Sequence, residues 1–213
     1  MSKYQFRESD IYFPGTAIPK NRLDIEDANL LQQIEESLLQ QAYQVFITEL
    51  HLAVRFDESY FKSLHDRTFT TLYDWAGEYR SVDMSKGGSL FCLARNLDSA
   101  SHHIFQQLER EYFLKNADDW HKQKFSERLA FYQSELIALH PFYELNGRIT
   151  RLFFDLIAIY NGYDPIDYSH ALENGSNPVN AYIQASVACV QSADNSLLQE
   201  IIFKGLRKMG DTQ

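Results

Sequence analysis

Apolar residues recur along the chain at helical spacing in several long runs. Between Asp24 and about Leu52, the positions Leu30, Leu31, Ile34, Leu38, Tyr43, Phe46 and Ile47 fall on one face of a 3.6-residue helix. A second helix is predicted over about 58–73. The texture then changes: 76–84 alternates, Ser85-Lys86-Gly87-Gly88-Ser89 is a turn cluster, and Leu90-Phe91-Cys92-Leu93 returns. That is a short β-hairpin, with Gly-Gly supplying positive φ at its tip. Helical spacing resumes from Leu97 to Leu114 and from Phe125 to Leu139. His140 to Gly147 interrupts it, and the apolar run Leu152–Tyr160 follows, closed by Asn161-Gly162, a good helix C-cap. Ser176-Asn177-Pro178 is predicted to open a further helix, and a last one spans about 196–208. The pattern predicts an all-α fold with one hairpin.

Composition narrows this. With 213 residues, 45% apolar and 14% aromatic, the chain has ample material for one core, which excludes global disorder. Residues 1–23, with Pro14 and Pro19, read as an irregular lead-in, 24–208 as the domain and 209–213 as a tail. A net charge of −9 argues against a protein built to grip nucleic acid or anionic lipid. It says nothing against one local basic pocket. No apolar run has signal-peptide or membrane-span length, so the expected compartment is the cytoplasm. Cys92 and Cys189 form no CxxC pair, and Cys189 reads as a buried, inert thiol.

The chemistry concentrates in His140-Pro141-Phe142-Tyr143-Glu144-Leu145-Asn146-Gly147-Arg148-Ile149-Thr150-Arg151. This stretch delivers a loop to a helix N-terminus, where unpaired amides and the helix dipole favour anions. Arg148 and Arg151 lie one turn apart, so both guanidinium groups can serve that opening. Glu144 offers the kind of carboxylate oxygen that Mg²⁺ takes when phosphates and water complete its shell. His140 is the natural proton acceptor. Singly, each has an ordinary explanation as a packed histidine or a solvated charged face; twelve residues holding all of them are harder to explain that way.

The stretch resembles the signature of the Fic family, H-P-F-x-[D/E]-G-N-[G/K]-R-x-x-R. Leu72-Tyr73-Asp74-Trp75-Ala76-Gly77-Glu78-Tyr79-Arg80, followed by Ser85-Lys86-Gly87-Gly88, is similar to the Fic flap hairpin, placed here at about 80–93. Asn21-Arg22-Leu23-Asp24-Ile25 resembles the segment that leads into small Fic proteins. The likeness covers roughly residues 20–205, with catalytic loop and helix at 140–161. It implies a helical bundle with a β-hairpin flap and transfer of AMP from ATP to a Ser, Thr or Tyr hydroxyl of a target protein. It further implies His140 as base, Glu144 as Mg²⁺ ligand and Phe142 as the inward support of the loop. Nucleotide binding would fall to Asn146, Gly147, Arg148, Arg151 and the flap residues Lys86, Gly87 and Gly88, with Ser85 and Lys86 docking the target.

One position departs from the pattern: Leu145 stands where the family has glycine. If that position is left-handed, leucine costs roughly 1 kcal/mol or more there, and its side chain is expected to crowd the nucleotide. An altered but working loop, a different nucleotide or phosphate-bearing donor, and a catalytically weak binding module all stay open. The family's inhibitory spelling [S/T]-x-x-x-E-[G/N] is matched by Ser169–Asn174, read here as chance, and incompletely by Ser196–Glu200, read as core helix. Inhibition is therefore expected from a small antitoxin-like partner.

Overall fold

In the computed structural model, residues 5–6, 11–117, 120–173 and 179–210 are described. Eight α-helices follow one another among them: α1 Ala28–Thr48, α2 Glu58–Phe69, α3 Leu97–Arg110, α4 Lys122–Leu139, α5 Asn146–Tyr160, α6 Ser169–Leu172, α7 Ala181–Ser192 and α8 Ser196–Gly205. Three short strands, β1 Gln5–Phe6, β2 Met84–Lys86 and β3 Ser89–Leu90, form an antiparallel sheet in the order β1-β2-β3. The hairpin turn is Gly87-Gly88, with φ of 56° and 83°, which only glycine adopts at no steric cost.

Side-chain caps set several helix starts. The Asp27 carboxylate accepts from the amides of Asn29 and Leu30, Asp57 from Tyr60, and Asn180 from Ile183. The first helix therefore begins at Ala28, after a turn in which Asn21 Oδ1 accepts from the Leu23 and Ile25 amides. The predicted helix opener at 176–178 lies outside the described residues, and α7 starts at Ala181. The run predicted as one helix to Leu114 stops at Arg110: Tyr112, Phe113 and Leu114 turn left-handed and carry Phe113 and Leu114 into the core. The last helix also ends early. A Cβ on Gly205 would stand 2.4 Å from the Asp167 carbonyl oxygen, and the chain beyond runs extended to pair Lys208 with Tyr163.

The central helix, α5, is buried along one continuous run from Leu152 to Ala158. Phe153 meets Phe56, Phe61 and Phe105 edge-on, at centroid distances of 6.0, 5.3 and 6.0 Å. Around it, α1, α2 and α4 pack on α5, while α4 also carries α3, α7 and α8. The loop between α4 and α5 is thus held by the two best-packed helices of the bundle. Cys189 is buried, and burial pushes its thiol up to about 11. No helix among the described residues is long and apolar enough to cross a membrane.

Candidate active site

The loop begins and ends on left-handed residues. His140 caps α4 with φ 46°, its amide still donating to the Leu136 carbonyl at 3.1 Å. Leu145 opens α5 with φ 67°. Between them, Asn146 clamps Phe142 through two bonds, accepting from its amide at 2.8 Å and donating to its carbonyl at 2.7 Å. Phe142 is fully buried and stacks on His65, centroids 4.1 Å apart. His65 Nδ1 accepts from the Gly77 amide at 3.0 Å, which leaves Nε2–H to donate to the Glu144 carbonyl at 3.2 Å. Burial pushes this imidazole down to about 4, so it stays neutral while it supports the loop. His65 carries no flag in the sequence beyond its place one turn from Phe61 and Phe69 on an apolar helix face.

At the start of α5, the amides of Arg148 and Ile149 turn back onto the Leu145 carbonyl at 3.0 and 3.1 Å. No protein acceptor meets the amides of Asn146 and Gly147 among the described residues. They border a cavity of about 570 Å³ that also takes in His140, Arg148, Arg151 and Lys86. A mostly apolar wall from α7, including Ile183 and Val187, closes its far side. Of the residues singled out from the sequence, Gly87 lines the cavity as well; Phe142, Glu144, Ser85 and Gly88 do not. The two arginines share one opening but are held differently. Arg148 Nη1 pairs with Glu35 Oε2 at 2.8 Å, and the other Glu35 oxygen accepts from the Tyr73 hydroxyl at 2.5 Å. The Arg151 guanidinium lies 5.1 Å from the centroid of Tyr182. Glu35 sits on α1, more than a hundred residues upstream, and no motif announces it.

Leu145 is indeed left-handed, but its side chain corrects one expectation. It is 6% exposed, packs into the main core and is absent from the cavity lining, so it does not crowd a nucleotide. Burying a leucine contributes about 1.5–3 kcal/mol, enough to offset the roughly 1–2 kcal/mol of left-handed strain.

Glu144 is buried as well, and its Oε1 accepts from the Tyr12 hydroxyl at 2.7 Å. Tyr12 comes from the lead-in, where it pairs with Pro19. No group of three or more His, Cys, Asp or Glu side chains converges on a metal position among the described residues. A single hard carboxylate near a helix N-terminus is the donor type that a cation such as Mg²⁺ takes when waters and phosphates complete its shell.

The fold and site define a class: a helical bundle in which a clamped loop, a helix N-terminus bearing two arginines, and a hairpin border one shared cavity. A family model described as Fic/DOC family matches residues 55–158. The probable protein adenylyltransferase Fic of Escherichia coli strain K12 is 34% identical over 151 residues, 71% of this chain and 72% of that protein. The protein of the same description from Salmonella typhimurium is 30% identical over 201 residues, 94% of each. Protein adenylyltransferase VbhT of Bartonella schoenbuchensis is 34% identical over 164 residues, 76% of this chain, which spans only 33% of its length. Among solved structures, the BepC protein of Bartonella tribocorum with bound AMPPNP superposes with a TM-score of 0.78 at 20% identity, covering 93% of this chain and 96% of that one. The chain belongs to the Fic/DOC family.

Proposed function

We propose that this protein is an adenylyltransferase that moves AMP from ATP to a Ser, Thr or Tyr hydroxyl of a target protein. The observation that carries the reading is the single cavity shared by His140, the Gly147 amide, Arg148, Arg151 and Lys86. The α5 N-terminus and the two arginines bind the triphosphate, with Lys86 at the rim. His140 takes the target's hydroxyl proton; the oxygen bonds to the α-phosphorus, the bond to the bridging oxygen of the β-phosphate breaks, and pyrophosphate leaves. Little of this is covalent work for the protein, so positioning and charge neutralisation dominate. Glu144 would hold Mg²⁺, which neutralises phosphate charge when bound. In-line attack needs the target strand registered against the flap, where Ser85 and Lys86 offer backbone pairing. There β1 already lies along β2, Gln5 opposite Ser85 and Phe6 opposite Met84, so a target strand joining that edge takes β1's place.

The same reading takes the cytoplasm as the compartment of the reaction. A small antitoxin-like partner acting in trans is part of the same reading. Glu173 is exposed and Glu200 pairs with Lys204 at 2.6 Å, so neither glutamate of the near-matching spellings is bonded to the arginines. Glu35 does reach Arg148, but as a bundle residue shared with Tyr73. The test is incubation of the protein, Mg²⁺ and a panel of α-labelled nucleotides with lysate. ATP is expected to label protein, and His140→Ala to reduce the rate by about 10²–10⁴-fold. Label from another nucleotide alone would reassign the donor; none at all would make this a binding module.

A further inference from the structure

The end of α4 that carries His140 is gripped by both roots of the flap. Arg80 is 2% exposed, and its guanidinium hydrogen-bonds are made to backbone carbonyls of four residues. Nε donates to His140 O at 2.8 Å and Nη2 to Leu139 O at 3.3 Å, the two carbonyls that close α4. Nη1 donates to Val82 O at 2.6 Å and Nη2 also to Cys92 O, one on each side of the hairpin. The Arg80 amide donates to Pro141 O at 2.8 Å, and the Cys92 amide to Ala138 O at 3.0 Å. A planar fork of five donors suits such a carbonyl cage, and the negative end of a helix dipole favours a cation there. One residue before Cys92, just past β3, Phe91 stacks face to face on the His140 imidazole, centroids 3.8 Å apart and planes 9° from parallel.

We propose that Arg80 and Phe91 are positioning residues for His140, so that flap and base are registered as one unit. The proposal rests on the reading of His140 as base. A left-handed histidine persists only where its surroundings over-determine it, and Arg80 supplies that constraint at the backbone. Phe91 supplies the other, fixing the plane in which the imidazole nitrogens point. Both rings line the cavity, and Phe91 belongs with Met84 and Val190 to a small apolar cluster apart from the main core. A hydroxyl presented on the flap is thereby delivered at a set distance from the proton acceptor, a geometry in which about 1 Å is worth roughly 100-fold in rate.

The test uses Phe91→Leu, Phe91→Tyr and Arg80→Lys in the full chain, with two readouts. In the ligand-free protein, NMR of the His140 ring protons reports the stack through its ring-current shift. Label transfer from ATP into lysate protein gives kcat and the KM for ATP. Phe91→Leu is expected to abolish the ring-current shift and lower kcat by about 10- to 100-fold with KM within twofold; Phe91→Tyr restores both. Arg80→Lys, which keeps the charge and loses the fork, lowers kcat in the same way. Unchanged His140 resonances and kcat in Phe91→Leu would overturn the proposal, as would equal losses in Phe91→Leu and Phe91→Tyr. Should Arg80→Lys fail to fold, the Phe91 pair still decides. If His140→Ala kept full transfer, the base assignment would fall, while the NMR shift would still show whether Phe91 holds the ring.

Discussion

His140 and Leu145 bracket the same loop, both are left-handed, and neither is glycine. They are stabilised from opposite sides. His140 is held by the flap, through the Arg80 cage and the Phe91 ring, at the edge of the cavity. Leu145 is held by the core into which its side chain drops. Strain at the His140 end is therefore controlled by a hairpin, and strain at the Leu145 end by the hydrophobic interior. The two ends should respond to mutation in different currencies: rate at one, stability at the other.

The sharpest way to break this contrast is at Leu145. Leu145→Ala keeps a Cβ at positive φ but loses the buried side chain, an expected loss of about 2–5 kcal/mol in urea unfolding. Leu145→Gly loses the same burial yet relieves the strain, so its loss is expected to be about 1–2 kcal/mol smaller. Neither variant should raise AMP transfer, because the side chain lies outside the cavity. A glycine variant that transfers faster would show that this end also governs rate.

A smaller effect is expected at Glu35. Glu35→Gln leaves Arg148 without its carboxylate in a partly buried pair, with side-chain exposures of 24% and 10%. Stability is expected to fall by about 1–3 kcal/mol. ATP affinity, by calorimetry, should rise about three- to tenfold as negative charge leaves the phosphate site. Weaker ATP binding would mean that Glu35 aims Arg148 rather than competing for it.

The smallest expected effect in the intact protein is the net pH dependence of the buried side, where two contributions oppose each other. Burial lowers His65 to about 4, so the unfolded chain binds a proton between pH 6.5 and 4 that the native state refuses, and stability falls as pH drops through that window. Burial raises Asp155 to about 7, with Tyr43 and the Ile166 amide as its hydrogen-bond donors. There the native state keeps a proton that the unfolded chain releases near 3.8, so stability falls as pH rises from about 4 to 7. The two slopes oppose each other over pH 4–6.5. Asp155→Asn should expose a rising profile and His65→Asn a falling one, read from urea midpoints across that range.

Helix content, hairpin, glycine tip and the twelve-residue stretch from His140 to Arg151 were legible along the chain, because periodicity, turn chemistry and a motif are local properties. Helix ends were less so. Residues 112–114 reverse because Phe113 and Leu114 have a core to enter, and the last helix stops at Gly205 because another backbone segment passes there. Phe142 apart, the supports of the site were not legible. Arg80 closes on carbonyls from Val82, Cys92, Leu139 and His140, and carbonyls carry no sequence signature. His65 and Tyr12 reach the loop, and Glu35 the first turn of α5, from three separate segments.

Sequence alone determined which groups are the candidates for the chemistry: one imidazole, one carboxylate, two arginines and a helix N-terminus within twelve residues of an acidic chain. Tertiary structure alone decided how they are held. It sent Leu145 inward, paired Arg148 with Glu35, and set the plane of His140 against Phe91. The physical reason is range. Motif chemistry depends on neighbours in sequence, whereas orientation, strain and burial depend on contacts made only when distant segments close on one another.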